Sequence, residues 1–102
     1  MYKIMHLPLA ISDMLEIEEY LAQHSTNAAD RFVDDLGERT AALLEYPFMN
    51  PIYEDDPFFR RMVLGDYLLF YNVDEKRKLV IIHRIFHHSK DINRRILVYK
   101  KQ

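Results

Sequence analysis

Residues 60 to 90 hold an unusual share of proton carriers and cations: Arg60, Arg61, His83, Arg84, His87, His88 and Lys90. Imidazole titrates closer to neutral pH than any other unperturbed side chain, so these histidines can give or take a proton, while guanidinium and ammonium groups stay cationic and hold anions. The positive charge of the chain gathers in the same region. Residues 1–59 carry 3 Lys and Arg against 12 Asp and Glu, a net of −9, whereas residues 60–102 carry 11 against 4, a net of +7. Only the second half can offer a basic surface to an anionic partner, although the whole chain stands at −2. That mild balance argues against tight, indiscriminate binding to nucleic acid, which rests on summed phosphate contacts. Zinc is a further use for three histidines, but no thiolate or carboxylate completes a site at a recognisable spacing, so no metal or cofactor is expected. The absence of cysteine excludes disulfide and thiol chemistry.

These groups must be positioned by the stretch from Phe58 to Asp91, which reads as two successive β-hairpins. Gly65-Asp66, between Val63-Leu64 and Tyr67-Leu68, is the two-residue turn signal in its Gly-first form. The polar run Asp74-Glu75-Lys76-Arg77 breaks the second strand from the third. The pattern predicts antiparallel strands over 58–64, 67–73 and 78–86. With Leu64 opposite Tyr67, Val63 pairs with Leu68 and Arg61 with Phe70; a four-residue second loop sets Val73 opposite Lys78 and Leu68 opposite His83. Alternation then gives one face Met62, Leu64, Tyr67, Leu69, Tyr71, Val73, Val80, Ile82 and Phe86, with Arg60 and Arg84 as its exceptions. That is the expected core. The other face carries Arg61, Val63, Leu68, Phe70, Asn72, Ile81, His83, Ile85 and His87, and is expected to be the open, working one.

The remainder of the chain supplies cover for that sheet. Tyr2 to His6 alternates as a short edge strand closed by Pro8. Ile11, Met14, Leu15 and Leu21 follow helical spacing from about Leu9 to His24, with Asp13, Glu16, Glu18 and Glu19 at polar positions. After Ser25, Thr26 or Asn27 offers an N-cap for a second helix, in which Ala29, Phe32, Val33, Leu36, Thr40, Leu43 and Leu44 form one face, ended by Pro47. The link Pro47–Pro57, with three prolines and the acidic Glu54-Asp55-Asp56, reads as an ordered surface loop. Residues 92–102 read as a short helix or basic tail. At 102 residues the expectation is one α+β domain over 1–102: two antiparallel N-terminal helices packed on one face of a twisted, mainly antiparallel sheet, in the order β-α-α-β-β-β. The N-terminus has no signal-peptide pattern and no apolar run reaches a membrane span, so a soluble, cytoplasmic protein is expected.

This order, the hairpin from Arg61 to Tyr71 and the final strand from Ile82 through Arg84 and His87 to Lys90-Asp91 together resemble the RelE/ParE superfamily of bacterial toxins, the plasmid-stabilisation proteins of type II toxin–antitoxin systems. The resemblance implies a cognate antitoxin, in a toxin–antitoxin hetero-oligomer or with a toxin homodimer. It also implies a target that differs between branches: RelE-like members cut mRNA in the ribosomal A site, whereas ParE-like members inhibit DNA gyrase.

By that resemblance the leading expectation is ribosome-dependent mRNA cleavage, with Arg61, His87, His88 and Lys90 as the catalytic set. His87 or His88 would carry the proton, Arg61 and Lys90 would hold the phosphate, and Tyr99 is a further donor. Arg60, His83 and Arg84 are expected to bind phosphate or target, and Val63, Leu68, Phe70 and Ile81 to bind the antitoxin. One departure points the other way: the family pattern places an arginine directly after the first tyrosine of the middle strand, and here that residue is Leu68. An isobutyl group offers neither charge nor paired donors. A gyrase inhibitor without enzymatic activity, and a decayed toxin that only binds its antitoxin, therefore stand as alternatives. The residues also have plainer uses, since strand arginines commonly pair with carboxylates and a His-His pair at a strand end is commonly a solvated turn.

Overall fold

The structure is a computed structural model that describes residues 1–89. The elements run β1 (Lys3–His6), α1 (Pro8–His24), α2 (Thr26–Ala42), β2 (Arg60–Leu64), β3 (Tyr67–Asp74) and β4 (Leu79–His87). They form the expected α+β architecture in the expected order. The sheet order is β1-β4-β3-β2, with β1 parallel to β4 and the other pairs antiparallel.

The helical hairpin turns on Ser25. Its extended backbone stops α1, its N–H donates to the Leu21 carbonyl at 2.8 Å, and its Oγ accepts the Ala28 N–H at 3.2 Å to cap α2. The cap is therefore Ser25 and not Thr26 or Asn27, which already lie inside the helix. Regular helix ends at Ala42, before Pro47, because the chain tightens into turns at Leu43 to Glu45.

The first hairpin follows the sequence pattern pair for pair: Leu64↔Tyr67, Val63↔Leu68 and Arg61↔Phe70. Gly65 has φ 61°, the left-handed value that a Gly-first turn demands. The second hairpin differs. Its loop has the four expected residues, but they are 75–78, with Lys78 at φ 56°, so that Val73 faces Val80. A bulge then intervenes: Tyr71 pairs with Ile82 and Phe70 with Arg84, leaving His83 as the extra residue. Beyond it the alternation of β4 is inverted relative to the expected pattern, and the two-residue shift at the loop together with the bulge sets Leu68 opposite Phe86 and not His83.

The inversion redistributes the core. On the helix side, Ala10 and Leu43 pack with Met62, Leu69, Tyr71, Val80, Ile82 and Ile85, so Ile85 takes the place expected for Phe86. Phe86 turns to the opposite face and joins Phe59 and Phe70, flanked by Tyr53 and Leu68. That face is not open. The connector between α2 and β2 folds over it, with Tyr53 edge-on to Phe70 at 5.0 Å and Phe59 against the same ring at 6.4 Å.

Candidate functional site

β4 outruns its neighbour. β1 pairs with it only as far as His6↔Ile82, and Leu7 then leads into α1, so among the described residues the outer edge of β4 has no partner strand from His83 onward. Asp13 of α1 fills part of that gap. Its Oδ2 accepts the Ile85 N–H at 2.9 Å and the Arg84 Nε–H at 2.7 Å, while Oδ1 accepts from Arg84 Nη2 at 2.9 Å. A side-chain carboxylate thus substitutes for a strand carbonyl at the sheet edge. The Arg84 guanidinium lies at the same time over the Phe86 ring, 4.4 Å from its centroid.

A groove of about 700 Å³ opens between α1 and this end of the sheet, lined by Asp13, Glu16 and Tyr20 on one side and by Tyr67, Arg84 and His87 on the other. At its rim β4 ends in the two histidines. The His87 ring meets Tyr67 edge-on at 5.5 Å and stacks on His88 at 4.4 Å. His87 Nδ1 accepts the Ser89 N–H at 3.2 Å and lies 2.8 Å from Ser89 Oγ, an arrangement that leaves the ring proton on Nε2. The His88 N–H donates to the Asp66 carbonyl at 3.0 Å and ties the corner to the first hairpin turn.

The other expected site residues lie elsewhere. Arg61 is across β3 from Arg84, and its guanidinium sits 6.0 Å from the Tyr53 ring centroid on the connector side. His87 pairs with Tyr67, whose ring packs on Phe32 of α2 on the helix side. Two strands across and three residues along separate Arg61 from His87, roughly 14 Å between backbones, on opposite faces of the sheet. Arg60 is engaged within the fold: its Nη1 donates to the Asn50 and Phe48 carbonyls at 2.7 and 3.4 Å, and its guanidinium lies 5.0 Å from the Phe48 centroid. His83 holds its Nε2 2.6 Å from Asn72 Oδ1, between the rings of Phe58 and Phe59. Burial there lowers its pKa to about 4, so it is uncharged at neutral pH.

Of the surface expected to bind an antitoxin, Phe70 and Ile81 are buried within the chain, Leu68 is half-buried against the aromatic cluster, and Val63 is 51% exposed. The expectation of an open face is corrected: the connector covers Phe70, and Ile81 is buried as well. Lys90 and Tyr99 lie outside the described residues, as do four of the seven net positive charges of the second half. Asp13, by contrast, one of the polar positions of the first helical pattern, is 8% exposed. Nothing in the sequence marks a partner that lies 71 residues away.

Comparison with known proteins adds to this picture. Residues 4–92 match the family described as the ParE toxin of the type II toxin–antitoxin system, parDE. No curated protein matches the sequence. Among solved structures, the isolated Escherichia coli RelE toxin superposes with a TM-score of 0.65 over 100% of both chains at 13% identity. The intact E. coli RelBE toxin–antitoxin complex gives 0.64, covering 88% of this chain and 100% of that one at 15% identity. The RelBE2 toxin–antitoxin complex of Mycobacterium tuberculosis gives 0.57, covering 85% and 98% at 20% identity. At such identities the likeness to these structures concerns the fold. Among the described residues no helix is long and apolar enough to cross a membrane.

Proposed function

Because this chain belongs to the ParE toxin family of type II toxin–antitoxin systems, we propose that it arrests growth by binding DNA gyrase, without nuclease chemistry, and that a cognate antitoxin neutralises it. The observation that carries this reading is the dispersal, among the described residues, of the groups an RNA-cleaving centre needs. Cleavage at a ribose phosphate requires a base for the 2′-OH, a cation on the phosphate and an acid for the departing 5′-oxygen, all within hydrogen-bond reach of one substrate. Arg61 and His87 face opposite sides of the sheet, Arg84 is paired with Asp13, Arg60 is bound to carbonyls and His83 is neutral. Leu68 supplies no charge where the family pattern has an arginine. An antitoxin partner is supported by the similarly folded toxins of E. coli and M. tuberculosis, which are held in toxin–antitoxin complexes.

One observation favours mRNA cleavage instead. The stacked pair His87-His88 stands at the rim of a groove, next to Ser89, and places a titratable ring at an accessible edge. Inducible expression in a bacterial host separates the two readings when growth, translation, mRNA integrity and DNA supercoiling are followed together. Wild type is expected to cause filamentation and loss of supercoiling while translation is initially intact, and the His87→Ala/His88→Ala variant is expected to be equally toxic. Early loss of translation with cut mRNA, relieved by those substitutions, overturns gyrase binding in favour of the nuclease. Unimpaired growth with soluble protein leaves a decayed toxin.

A further inference from the structure

The helical hairpin covers the sheet with one side, and its outer side is not the polar one that a surface helix usually presents. On α1, Ile11 and Leu15 are 44 and 61% exposed; on α2, Val33 is 43% exposed. Ile11 and Leu15 stand one turn apart and share a face, off the side that holds the buried Ala10 and Asp13. Val33 and Gly37 are likewise one turn apart on α2. Gly37 is the odd residue there. A glycine inside a helix costs stability relative to alanine, and a common reason for one is the close approach of a neighbour. That reason is missing: among the described residues no neighbouring atom lies within 4 Å of the position its Cβ would take. The recess beside Val33 is therefore open to a side chain from outside the chain, and it sits on rigid helix, so little further freedom is lost when a partner covers it.

The charge of the hairpin selects among partners. From Pro8 to Ala42 it carries 8 Asp and Glu against 2 Arg, a net of −6 with both arginines counted. Helix geometry sets four of these carboxylates beside the apolar residues, because side chains three and four positions apart are neighbours on a helix surface. Glu18 and Glu19 follow Leu15 by three and four positions, Asp30 precedes Val33 by three, and Asp34 precedes Gly37 by three. All four are exposed. Among the described residues the ion pairs are Asp13–Arg84 and Asp74–Arg77, so none of the four is paired. Phosphate-bearing surfaces, whether nucleic acid or anionic lipid, are repelled by such a border. A protein with an apolar centre and a lysine- and arginine-rich rim is attracted. An enzyme that handles DNA carries basic surfaces of this kind by necessity.

Resting on the gyrase reading above, we propose that the outer side of the helical hairpin, centred on Leu15, Val33 and the recess at Gly37, is the docking surface for the toxin's protein target, through apolar contact ringed by carboxylate–cation pairs. Target recognition then belongs to the side of the helices away from the sheet. The groove beside His87 is separate from it, on the flank of α1 that carries Asp13 and Tyr20.

Purified full-length chain titrated against the supercoiling reaction of DNA gyrase tests it, with thermal melting as the check on folding and sedimentation as the check on assembly. Leu15→Gln/Val33→Gln changes two exposed positions and is expected to raise the concentration for half-inhibition about tenfold or more. Glu18→Lys/Asp34→Lys is expected to weaken inhibition several-fold at low ionic strength and to reduce its salt dependence. Gly37→Gln fills the recess with a better helix former, so its melting temperature is expected to rise while its inhibition weakens several-fold; a purely structural role would move the two together. Unchanged inhibition by the first variant overturns this docking surface while gyrase binding stands. A wild-type dimer that the first variant dissociates assigns the face to a second copy and overturns target docking. Wild type that leaves supercoiling untouched overturns the gyrase reading itself, and the target assigned here with it.

Discussion

Replacing Asp13 by alanine removes three hydrogen bonds at once and is the most informative single perturbation of this fold. The carboxylate accepts two from Arg84 and one from the Ile85 backbone, with side-chain exposures of 10% for Asp13 and 14% for Arg84. An N–H left without an acceptor in the interior costs about 1–3 kcal/mol. Breaking a fully buried ion pair from one side costs about 3–5 kcal/mol. Arg84 retains some access to water and its contact with the Phe86 ring, so the two contributions overlap, and a total of about 3–4 kcal/mol is expected. At about 4–8 °C per kcal/mol for a domain of this size, the melting temperature falls by about 12 °C or more. Urea denaturation measures the free energy, and hydrogen exchange at the Ile85 amide reports the site directly. Asp13→Asn, which keeps an acceptor but sets its amide against the guanidinium, should lose about half as much. Glu16→Ala on the same helix should stay within about 0.5 kcal/mol. A loss below about 1 kcal/mol for Asp13→Ala, with Ile85 protected as before, would refute the role given to this carboxylate.

Two further outcomes follow from other buried polar groups. The imidazole of His83 titrates near 6.5 in the unfolded chain and near 4 in the fold; the unfolded state therefore binds the extra proton between these values, and stability that is complete above about pH 6.5 is lost as pH falls toward 4. A sealed site would lose about 3 kcal/mol across that window, and with the ring only partly shielded about half of this is expected. Denaturation midpoints from pH 7 to 4 should show the slope in wild type and not in His83→Gln; an equal slope in both assigns it to other groups. Tyr71→Phe removes the donor to the Pro47 carbonyl and the acceptor of the Asn50 amide, and should cost about 1–2 kcal/mol. The same variant should speed proteolysis within residues 46–59, and an unchanged cleavage rate would show that the connector is held by its other bonds.

The parts of this fold that were legible from sequence are those specified locally. The Gly65-Asp66 turn fixes the β2–β3 register because only one residue pair can face across a two-residue loop, and periodicity gives the two helices; it does not give their buried faces, since Ile11, Leu15 and Val33 of the expected stripes are exposed while Ala10 and Asp13 are buried. The bulge at His83 has no local signature: neither glycine nor proline marks it, and its effect is to exchange Ile85 and Phe86 between faces. Arg84 therefore lies on the expected strand in an environment that the strand pattern does not carry, paired with Asp13 on a helix far away in sequence. The connector shows the same limit. Its prolines and carboxylates read as a surface loop, which its outward side is, but Tyr53 and Phe59 turn inward and close the face that the alternation pattern left bare. Among the candidate functional residues, the strand positions were legible; which of them share a site depends on register and on cover, and neither is local.

The pairing of β1 with β4 has a consequence for how the molecule is made. Lys3 joins Leu79, so the first strand waits for the last of the described strands, and that strand lies between its neighbours in the sheet. Until β4 has left the ribosome, β1 has no partner and β3 has only the β2 hairpin beside it. The helix-side core lacks Val80, Ile82 and Ile85 until the same moment. Closing so long a loop is slow relative to local pairing. The nascent chain therefore carries its helices and first hairpin before it has a folded sheet. On the function proposed above, growth arrest begins only after synthesis has passed β4, which gives an antitoxin already present the full elongation time in which to meet its partner.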